Sequence, residues 1–249
     1  MGRGWPHTVE DLVAEQLRLA AVQPEPWHPE PGELTIGACW VCFPRGLVGR
    51  GAAGDPAWSA AVVMRGRRAL ARHVRSGVAP APYAPGLLAL REGPLLDAAV
   101  RGLATVPDVL LVNATGRDHL RRAGLAIHLG AALGIPTVGV THRPLVAAPG
   151  TPPASGYGAT SMLSLGGEVV ACWLRTRPGR RPLVVHPGLR TSPEVALDVV
   201  LQCSGRQRTP RPLREARRLA REARASYSRV GGTHREGGSR GRAADNMHG

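Results

Sequence analysis

A short, wholly apolar run at residues 109–112, VLLV, is the feature of this sequence that most limits its fold. Such a run is typical of a strand that is buried on both faces at the centre of a parallel sheet. A helical pattern follows at residues 125–133, and a second apolar run follows at residues 135–140. Because strands and helices alternate in this way, the sequence predicts an α/β fold with helices packed on the faces of a sheet.

The first half of the chain has a different pattern, in which strands follow one another directly. Runs at residues 34–43, 58–64 and 69–76 predict an antiparallel meander, so the complete sheet should be mixed. We expect further helices at residues 8–22, 92–103, 194–202 and 213–225. We expect further strands at residues 168–174 and 182–186.

The length of 249 residues and the hydrophobic content of 43% suit one domain with a substantial core, which we place at residues 1–227. Residues 228–249 contain mostly Gly, Arg and polar residues with nothing to bury, which predicts a disordered basic tail. No run approaches the roughly 18 apolar residues that a membrane span needs. The first residues also lack the pattern of a signal peptide. We therefore expect a cytoplasmic protein that does not bind to membranes.

The charge of the chain is strongly positive, with a formal net charge of +14 and no lysine, so that arginine supplies all of it. Residues 205–249 hold twelve arginines against four acidic residues, whereas residues 1–204 hold twenty against fourteen. A positive surface of this size attracts phosphate backbones and makes binding depend on salt. Anionic membrane surfaces would attract it too, so charge alone does not identify the partner.

Polar or reactive residues stand at the ends of three of the predicted strands: Cys39, Asn113 and His142. In open α/β sheets, chemistry is found at the C-terminal ends of the central strands. Cys39 and Cys42 also form a C-x-x-C spacing, but residues three apart in a strand point to opposite faces. We therefore interpret both cysteines as ordinary strand residues rather than as a metal knuckle.

Three segments of the chain resemble the endonuclease V family. Residues 82–94, PYAPGLLALREGP, match the family pattern P-Y-I-P-G-L-L-x-F-R-E-x-P. Residues 110–130, LLVNATGRDHLRRAGLAIHLG, are similar to the family's L-L-V-D-G-x-G-x-x-H-x-R-x-x-G-x-A-x-H-x-G, and residues 135–140, IPTVGV, follow where the family continues with A-K. The resemblance spans roughly residues 9–222 and implies a ribonuclease-H-like mixed sheet flanked by helices.

The resemblance also implies a function, a substrate and a set of binding residues. Family members find deaminated bases, chiefly hypoxanthine (inosine), in DNA or RNA, and cut the second phosphodiester bond on the 3′ side with Mg²⁺ or Mn²⁺. The residues that match the family's wedge are Pro82, Tyr83 and Pro85, followed by Gly86, and Tyr83 would fill the gap left by a displaced base. We expect a monomer whose partner is DNA or RNA.

The metal site that the resemblance implies is degenerate in this chain. The family supplies three carboxylates, of which Glu92 is retained, while Cys39 and Asn113 stand at the positions of two aspartates. His142 stands at the position of a lysine that faces the scissile phosphate. The family also has a histidine late in the chain, on the metal side, and Leu189 stands at its position. His119 matches another family histidine. Glu92 and His119 are therefore the catalytic candidates. A thiol and an amide should hold Mg²⁺ or Mn²⁺ weakly.

Several residues near these positions have alternative interpretations. Asp118 could replace a lost metal ligand, although we favour an exposed loop acid paired with Arg117 or Arg121. Cys39 and His119 could instead favour Zn²⁺ or Mn²⁺. His128 is interpreted as a helix-packing histidine, and Arg91 as a candidate to face phosphate. The arginines of residues 213–224 form either a solvated face or an additional nucleic-acid surface.

Three functions remain open at this point. The first is a nucleic-acid-binding relative of endonuclease V, recognising inosine in DNA or RNA but impaired in cleavage. The second is an active endonuclease that uses Glu92 with a substitute ligand set. The third is a regulatory or interaction protein that binds no nucleic acid. Nicking that disappears in Glu92→Ala would support the second, and failure to bind any strand at low salt would support the third.

Overall fold

The computed structural model describes residues 4–22, 24–30, 32–47, 51–205 and 207–232, with side chains up to residue 227. The described residues form five helices and eight strands. In chain order these are α1 (Val9–Ala21), β1 (Thr35–Cys42), β2 (Pro56–Arg65), β3 (Arg68–Val78), α2 (Leu88–Arg101), β4 (Val109–Val112), α3 (Leu125–Leu133), β5 (Thr137–Thr141), β6 (Thr160–Leu165), β7 (Glu168–Leu174), β8 (Leu183–Pro187), α4 (Pro193–Ser204) and α5 (Arg211–Gly232).

All eight strands belong to one sheet in the order β3-β2-β1-β4-β5-β8-β7-β6. β4 is parallel to both β1 and β5, and the other neighbouring pairs are antiparallel. The predicted mixed sheet is therefore confirmed, and so is VLLV as a central strand with every residue buried. β6 was not predicted from the sequence, because its polar, partly exposed residues lack the apolar run that marks the other strands.

Helices cover both faces of the sheet and enclose two main cores. One core, between the sheet and α2 and α3, contains Leu110, Val112 and Leu129, while the other lies under α4 and α5 and contains Leu111, Val138 and Val200. The alternation of Leu110 and Leu111 between these cores follows from the period of two along a strand. Because the central strands are buried on both faces, polar residues of this region reach the surface only where these strands end.

Capping residues mark the beginnings of α1 and α4. The Thr8 hydroxyl accepts a hydrogen bond from the Asp11 N–H at 3.1 Å, and the Ser192 hydroxyl accepts one from Val195 at 3.2 Å. These bonds satisfy N–H groups that have no partner inside the helix. α2 begins at Leu88, four residues before the predicted start, so Glu92 lies within the helix instead of at its beginning.

The end of the chain differs in part from the prediction. α5 continues to Gly232, so residues 228–232, which were expected to begin a disordered tail, are helical. The remainder of that predicted tail, residues 233–249, lies outside the described residues. No helix in the described part of the chain is long and apolar enough to cross a membrane.

Candidate nucleic-acid site

The C-terminal ends of β1, β4 and β5 meet at one edge of the sheet, which we call the polar edge. The register pairs Cys39 of β1 with Val112 of β4, and Val112 with Gly139 of β5. Asn113 and His142, which follow β4 and β5, therefore lie at this edge, and both are exposed. The structure thus brings together the strand ends that the sequence singled out, although Cys39 itself is fully buried inside β1.

Glu92 of α2 lies close enough to Cys39 of β1 for its charge to act on the thiol. Burial raises the pKa of Glu92 to about 7, and the charge of Arg91 lowers it by less. Burial also raises the pKa of the Cys39 thiol well above its usual range, and the negative charge of Glu92 adds to that rise. The two groups therefore favour their neutral forms, because a low-polarity environment penalises charge.

The side chains at the positions of the metal ligands do not fit a hard divalent ion. Mg²⁺ and Mn²⁺ bind strongly where several carboxylates supply both oxygen ligands and negative charge. Here they would meet a buried, protonated thiol at Cys39, a neutral amide at Asn113, and a carboxyl group at Glu92 that is only partly ionised at neutral pH. In the described residues, no group of three His, Cys, Asp or Glu side chains is arranged to hold a metal ion.

A cavity of about 170 Å³ opens next to the wedge loop, residues 82–85, at the polar edge. Tyr83 of this loop is 43% exposed. Gly86 reverses the chain direction with φ +74°, a backbone conformation that residues other than glycine rarely adopt. The cavity is lined by the wedge loop and by the loop after β4, including Tyr83, Ala84, Pro85, Gly86, Asn113 and Thr115. A flat, largely apolar group could enter here and meet a few polar atoms.

Hydrogen bonds to the Gly86 carbonyl fix the end of the wedge loop. Arg121 donates to this oxygen at 2.8 Å and Gln16 of α1 donates to it at 3.2 Å, while Arg121 also donates to Gln16 at 2.6 Å. Sequence reasoning missed Gln16; the signal available was its place between Leu12 and Leu19 on the buried stripe of α1. The site therefore depends on α1, which is far from it in sequence.

His119, expected from the resemblance to be catalytic, is buried against the wedge loop. Its Nδ1 accepts a hydrogen bond from the Arg121 N–H at 3.2 Å. Burial lowers the pKa of His119, and the charge of Arg121 lowers it further. His119 lines the same cavity, so it supports the wedge loop. Among the described residues, Cys39 and His119 belong to no group of three side chains that could hold a metal ion.

The expectation that Arg91 faces phosphate is wrong. Arg91 is 3% exposed, and its guanidinium donates to the carbonyls of Ala52 and Ala81 at 2.8 and 2.9 Å. It also forms an ion pair with Asp55 at 2.7 Å and lies 4.2 Å from the ring centre of Phe43. Arg91 therefore ties the segment before the wedge loop to the loop between β1 and β2.

The interpretation of Asp118 as an exposed acid is also wrong. Asp118 is fully buried, and its carboxylate accepts three backbone hydrogen bonds, from Leu145, Val146 and Ala147, at 2.7 to 2.8 Å. Arg117, one of its expected partners, instead approaches Glu168 at 3.6 Å. A carboxylate saturated in this way holds the loop after β5 in place and is not free to replace a lost metal ligand.

Leu189 does not stand at the polar edge. Its N–H donates to the Thr137 hydroxyl at 2.8 Å and its carbonyl accepts from the Thr137 N–H at 3.0 Å. Thr137 begins β5, so Leu189 lies at the opposite end of this strand from His142. The expected place of Leu189 on the metal side is therefore wrong, because β8 runs antiparallel to β5 and carries the residues after it away from the site.

Two arginines that the sequence did not single out approach His142. Burial lowers the pKa of His142, and the charges of Arg208 and Arg217 lower it further. Arg217 belongs to α5 and its guanidinium lies 5.3 Å from the ring centre of Trp40, the residue after Cys39. No pattern in the sequence separates these two from the other arginines of the C-terminal region.

Two further interpretations are confirmed. Cys39 and Cys42 are free, buried and packed in different core clusters, as expected for ordinary strand residues. His128 packs within the helical layer, stacked on Trp5 with ring centres 4.5 Å apart, and burial lowers its pKa to about 4.

The mixed sheet with helices on both faces and polar groups at the C-terminal edge of its central strands defines a protein with a ribonuclease-H-like fold. Comparisons with known proteins identify the family among proteins with this fold. Residues 47–218 match the family model for Endonuclease V. The chain belongs to the endonuclease V family, whose members are metal-dependent nucleases.

Individual relatives agree with this assignment. The chain is 44% identical over 171 residues to Endonuclease V of Methanopyrus kandleri, covering 69% of this chain and 72% of the relative. The crystal structure of Endonuclease V from Streptomyces avermitilis superposes with a TM-score of 0.80 at 32% identity, covering 90% and 96% of the two chains. Ciona intestinalis Endonuclease V, in complex with a 24mer DNA containing an inosine followed by a ribo-adenosine, shares the fold with a TM-score of 0.70 at 22% identity, covering 88% and 98%.

Proposed function

We propose that this protein binds DNA or RNA containing a deaminated base, chiefly inosine, and is impaired in cutting it. The observation that carries the proposal is the contrast between two parts of one site. The wedge loop borders a cavity, and its end at Gly86 is held by partly buried hydrogen bonds. The metal-ligand positions beside them hold a protonated thiol and a neutral amide where the family has carboxylates.

Recognition of a displaced base rests on the wedge loop. Tyr83 is exposed next to the cavity, so its ring can stack into the gap that an extruded base leaves in the strand. Extruding a base costs a few kcal/mol, which an aromatic plug and contacts to the extruded base offset. The cavity lies between the wedge loop and Asn113, within reach of such a base. The Ciona intestinalis relative, bound to inosine-containing DNA, supports this substrate class.

Impaired cleavage follows from the charges at the polar edge. A divalent ion, when bound, would neutralise the phosphate and activate the attacking water. Holding such an ion requires negative charge that this chain does not supply, because Cys39 stays protonated and Asn113 is neutral. Glu92, whose pKa is about 7, would ionise only partly at neutral pH. We therefore propose that Mg²⁺ and Mn²⁺ bind weakly. We also propose that the protein acts as a cytoplasmic monomer.

The test measures binding and nicking in parallel on inosine-containing DNA and RNA, with adenosine-containing strands as the comparison, in EDTA, Mg²⁺ and Mn²⁺. We expect preferential binding of the inosine strands in all three conditions and no nicking above background. Cys39→Asp combined with Asn113→Asp should introduce Mg²⁺-dependent nicking, by at least tenfold over the unaltered chain, because it restores two oxygen anions. Adding Glu92→Gln to that pair should abolish the restored nicking.

Two outcomes would replace this proposal. Nicking by the unaltered protein in Mg²⁺ or Mn²⁺ that is lost in Glu92→Ala would establish the active nuclease instead. Asp118 would then not be the substitute ligand, because three backbone N–H groups already occupy its carboxylate. Failure to bind any strand at low salt would favour a regulatory role without nucleic acid. Light scattering would test the expected monomer.

A further inference from the structure

Two arginines lie close to one histidine at the polar edge, on the face covered by α5. We call Arg208, Arg217 and His142 the cation cluster, after its two arginines. Arg217 extends from α5 toward β1, where its guanidinium lies 5.3 Å from the ring centre of Trp40. Because β1 and β4 pair in parallel with Cys39 opposite Val112, Trp40 is level with Asn113. Arg217 therefore stands beside the strand ends at which the family's chemistry takes place.

Arg208 is fixed on the other side of the cluster by the backbone before β8. It donates to the carbonyls of Arg181 and Pro182 at 2.6 and 2.8 Å. β8 pairs with β5 through Val184 and Thr141, which brings this backbone next to His142. Two separate segments of the chain thus deliver fixed positive charges to one exposed histidine.

The cation cluster differs from the other arginines of α5 in having no acidic partner. Arg218, the neighbour of Arg217, pairs with Glu215 at 2.8 Å and with Glu222 at 2.6 Å. Within the part of the chain that the structure describes, neither Arg208 nor Arg217 has a carboxylate within ion-pair distance. The Nε of Arg217 is buried and, among the same residues, has no hydrogen-bond partner.

A buried guanidinium N–H without an acceptor, and like charges held close together, both raise the free energy of the folded protein. An anion at this point would relieve both. We propose that Arg217, Arg208 and His142 form a binding site for a backbone phosphate of the nucleic acid. This inference rests on the proposed function, and it assigns to fixed arginines the neutralisation of phosphate that a metal ion performs in a competent nuclease. Guanidinium groups suit the task because their donors match phosphate oxygens and stay charged at all relevant pH values.

A first experiment tests the site without nucleic acid. The thermal unfolding midpoint of the full chain is measured with inorganic phosphate and with NaCl at equal ionic strength. We expect phosphate to raise the midpoint of the unaltered protein by about 3 °C beyond its general effect on protein stability. Arg217→Gln should lose most of this additional rise. Arg101→Gln is the matched control, because it removes the same charge from the last turn of α2, which is not part of the cation cluster and lies roughly 14 Å along that helix from Glu92. An equal rise in Arg217→Gln would overturn the inference.

A second experiment uses single strands with inosine or adenosine at the same position, in EDTA. Arg217→Gln should weaken binding of both strands by roughly tenfold and reduce the slope of log affinity against log salt by about 0.7, the value for one lost phosphate contact. Arg101→Gln should leave the slope unchanged, and Arg217→Lys should restore part of the affinity. A slope unaltered by Arg217→Gln would contradict the phosphate site. Equal affinity of the unaltered protein for inosine and adenosine strands would instead contradict the proposed function, while the slopes still test the site.

Discussion

Glu92 shows how much the chemistry of one residue depends on its neighbours. In a site with three carboxylates and a divalent ion, the metal charge would keep this carboxyl group ionised. Here burial raises the pKa of Glu92 to about 7, although the charge of Arg91 opposes this rise. The ionisation of Glu92 is therefore governed by the burial of its carboxyl group.

The raised pKa of Glu92 predicts a specific dependence of stability on pH. The folded protein holds the Glu92 proton more tightly than the unfolded chain does, so this contribution to stability is fully present below about pH 4.5 and is lost as pH rises to 7. The loss should amount to roughly 3 kcal/mol of the free energy of unfolding. Glu92→Gln should be more stable than the unaltered protein at pH 8 and should lose this component. Denaturant unfolding at pH 4.5 to 8 measures it.

Glu10→Gln provides the control, because Glu10 is exposed in the first turn of α1. Its stability profile should follow that of the unaltered protein throughout the pH range. A Glu92→Gln variant with an unchanged profile would show that the carboxyl group is already ionised in the folded protein. In that case the charge available to a metal ion would be larger than we propose.

The wedge loop is the element on which recognition depends, and it has no regular secondary structure of its own. It is fixed from two sides: Arg91 bonds to Ala81 before it, and Arg121 bonds to Gly86 after it. A loop that must enter a strand gains affinity when it is already ordered, because less conformational freedom is lost on binding.

Arg121→Met should therefore loosen the wedge loop without unfolding the domain. It removes the bonds to Gly86 and Gln16, which should lower the free energy of unfolding by about 1.5–3 kcal/mol. Amide hydrogen exchange at Leu87, whose N–H bonds to the Ala84 carbonyl, should accelerate, and preference for inosine should fall about tenfold. Arg122→Met, which removes a bond to Leu165 instead, should leave exchange at Leu87 unchanged. The same exchange rate in both variants would refute this role of Arg121.

The whole molecule carries a net charge of +14, with the excess greatest in the C-terminal region. Much of this charge is not neutralised locally, as the cation cluster illustrates. Long-range attraction of this kind increases association with polyanions and is screened by salt over about 10 Å at 0.1 M.

We expect binding of an inosine strand to weaken steeply between 50 and 300 mM NaCl, with a log–log slope of about −2 or steeper if at least three phosphates are neutralised. At constant ionic strength, exchanging EDTA for Mg²⁺ should not increase affinity, because the phosphate contacts come from arginine. Fluorescence anisotropy measures both quantities. Affinity that rises specifically with Mg²⁺ would indicate a functional metal site, and affinity indifferent to NaCl would argue against the electrostatic contribution.

The sequence by itself determined the order of the strands and helices other than β6, the wedge motif, the positive charge and the identity of the residues at the ligand positions. These properties are local: a period of two or 3.6 residues, or a run of specified residues, can be recognised without knowledge of the rest of the chain. β6 shows the limit of this, since its half-exposed polar residues carry no clear period.

Only the tertiary structure decided what the polar side chains at the edge of the sheet do. Asp118 bonds to a loop 27 to 29 residues later, and Arg91 pairs with Asp55, 36 residues earlier. Arg208 and Arg217 reach His142 from segments that follow β8. Whether a charged group is exposed, paired or left without a partner depends on contacts between segments far apart in the chain, and the free energy of burying it is set where those segments meet.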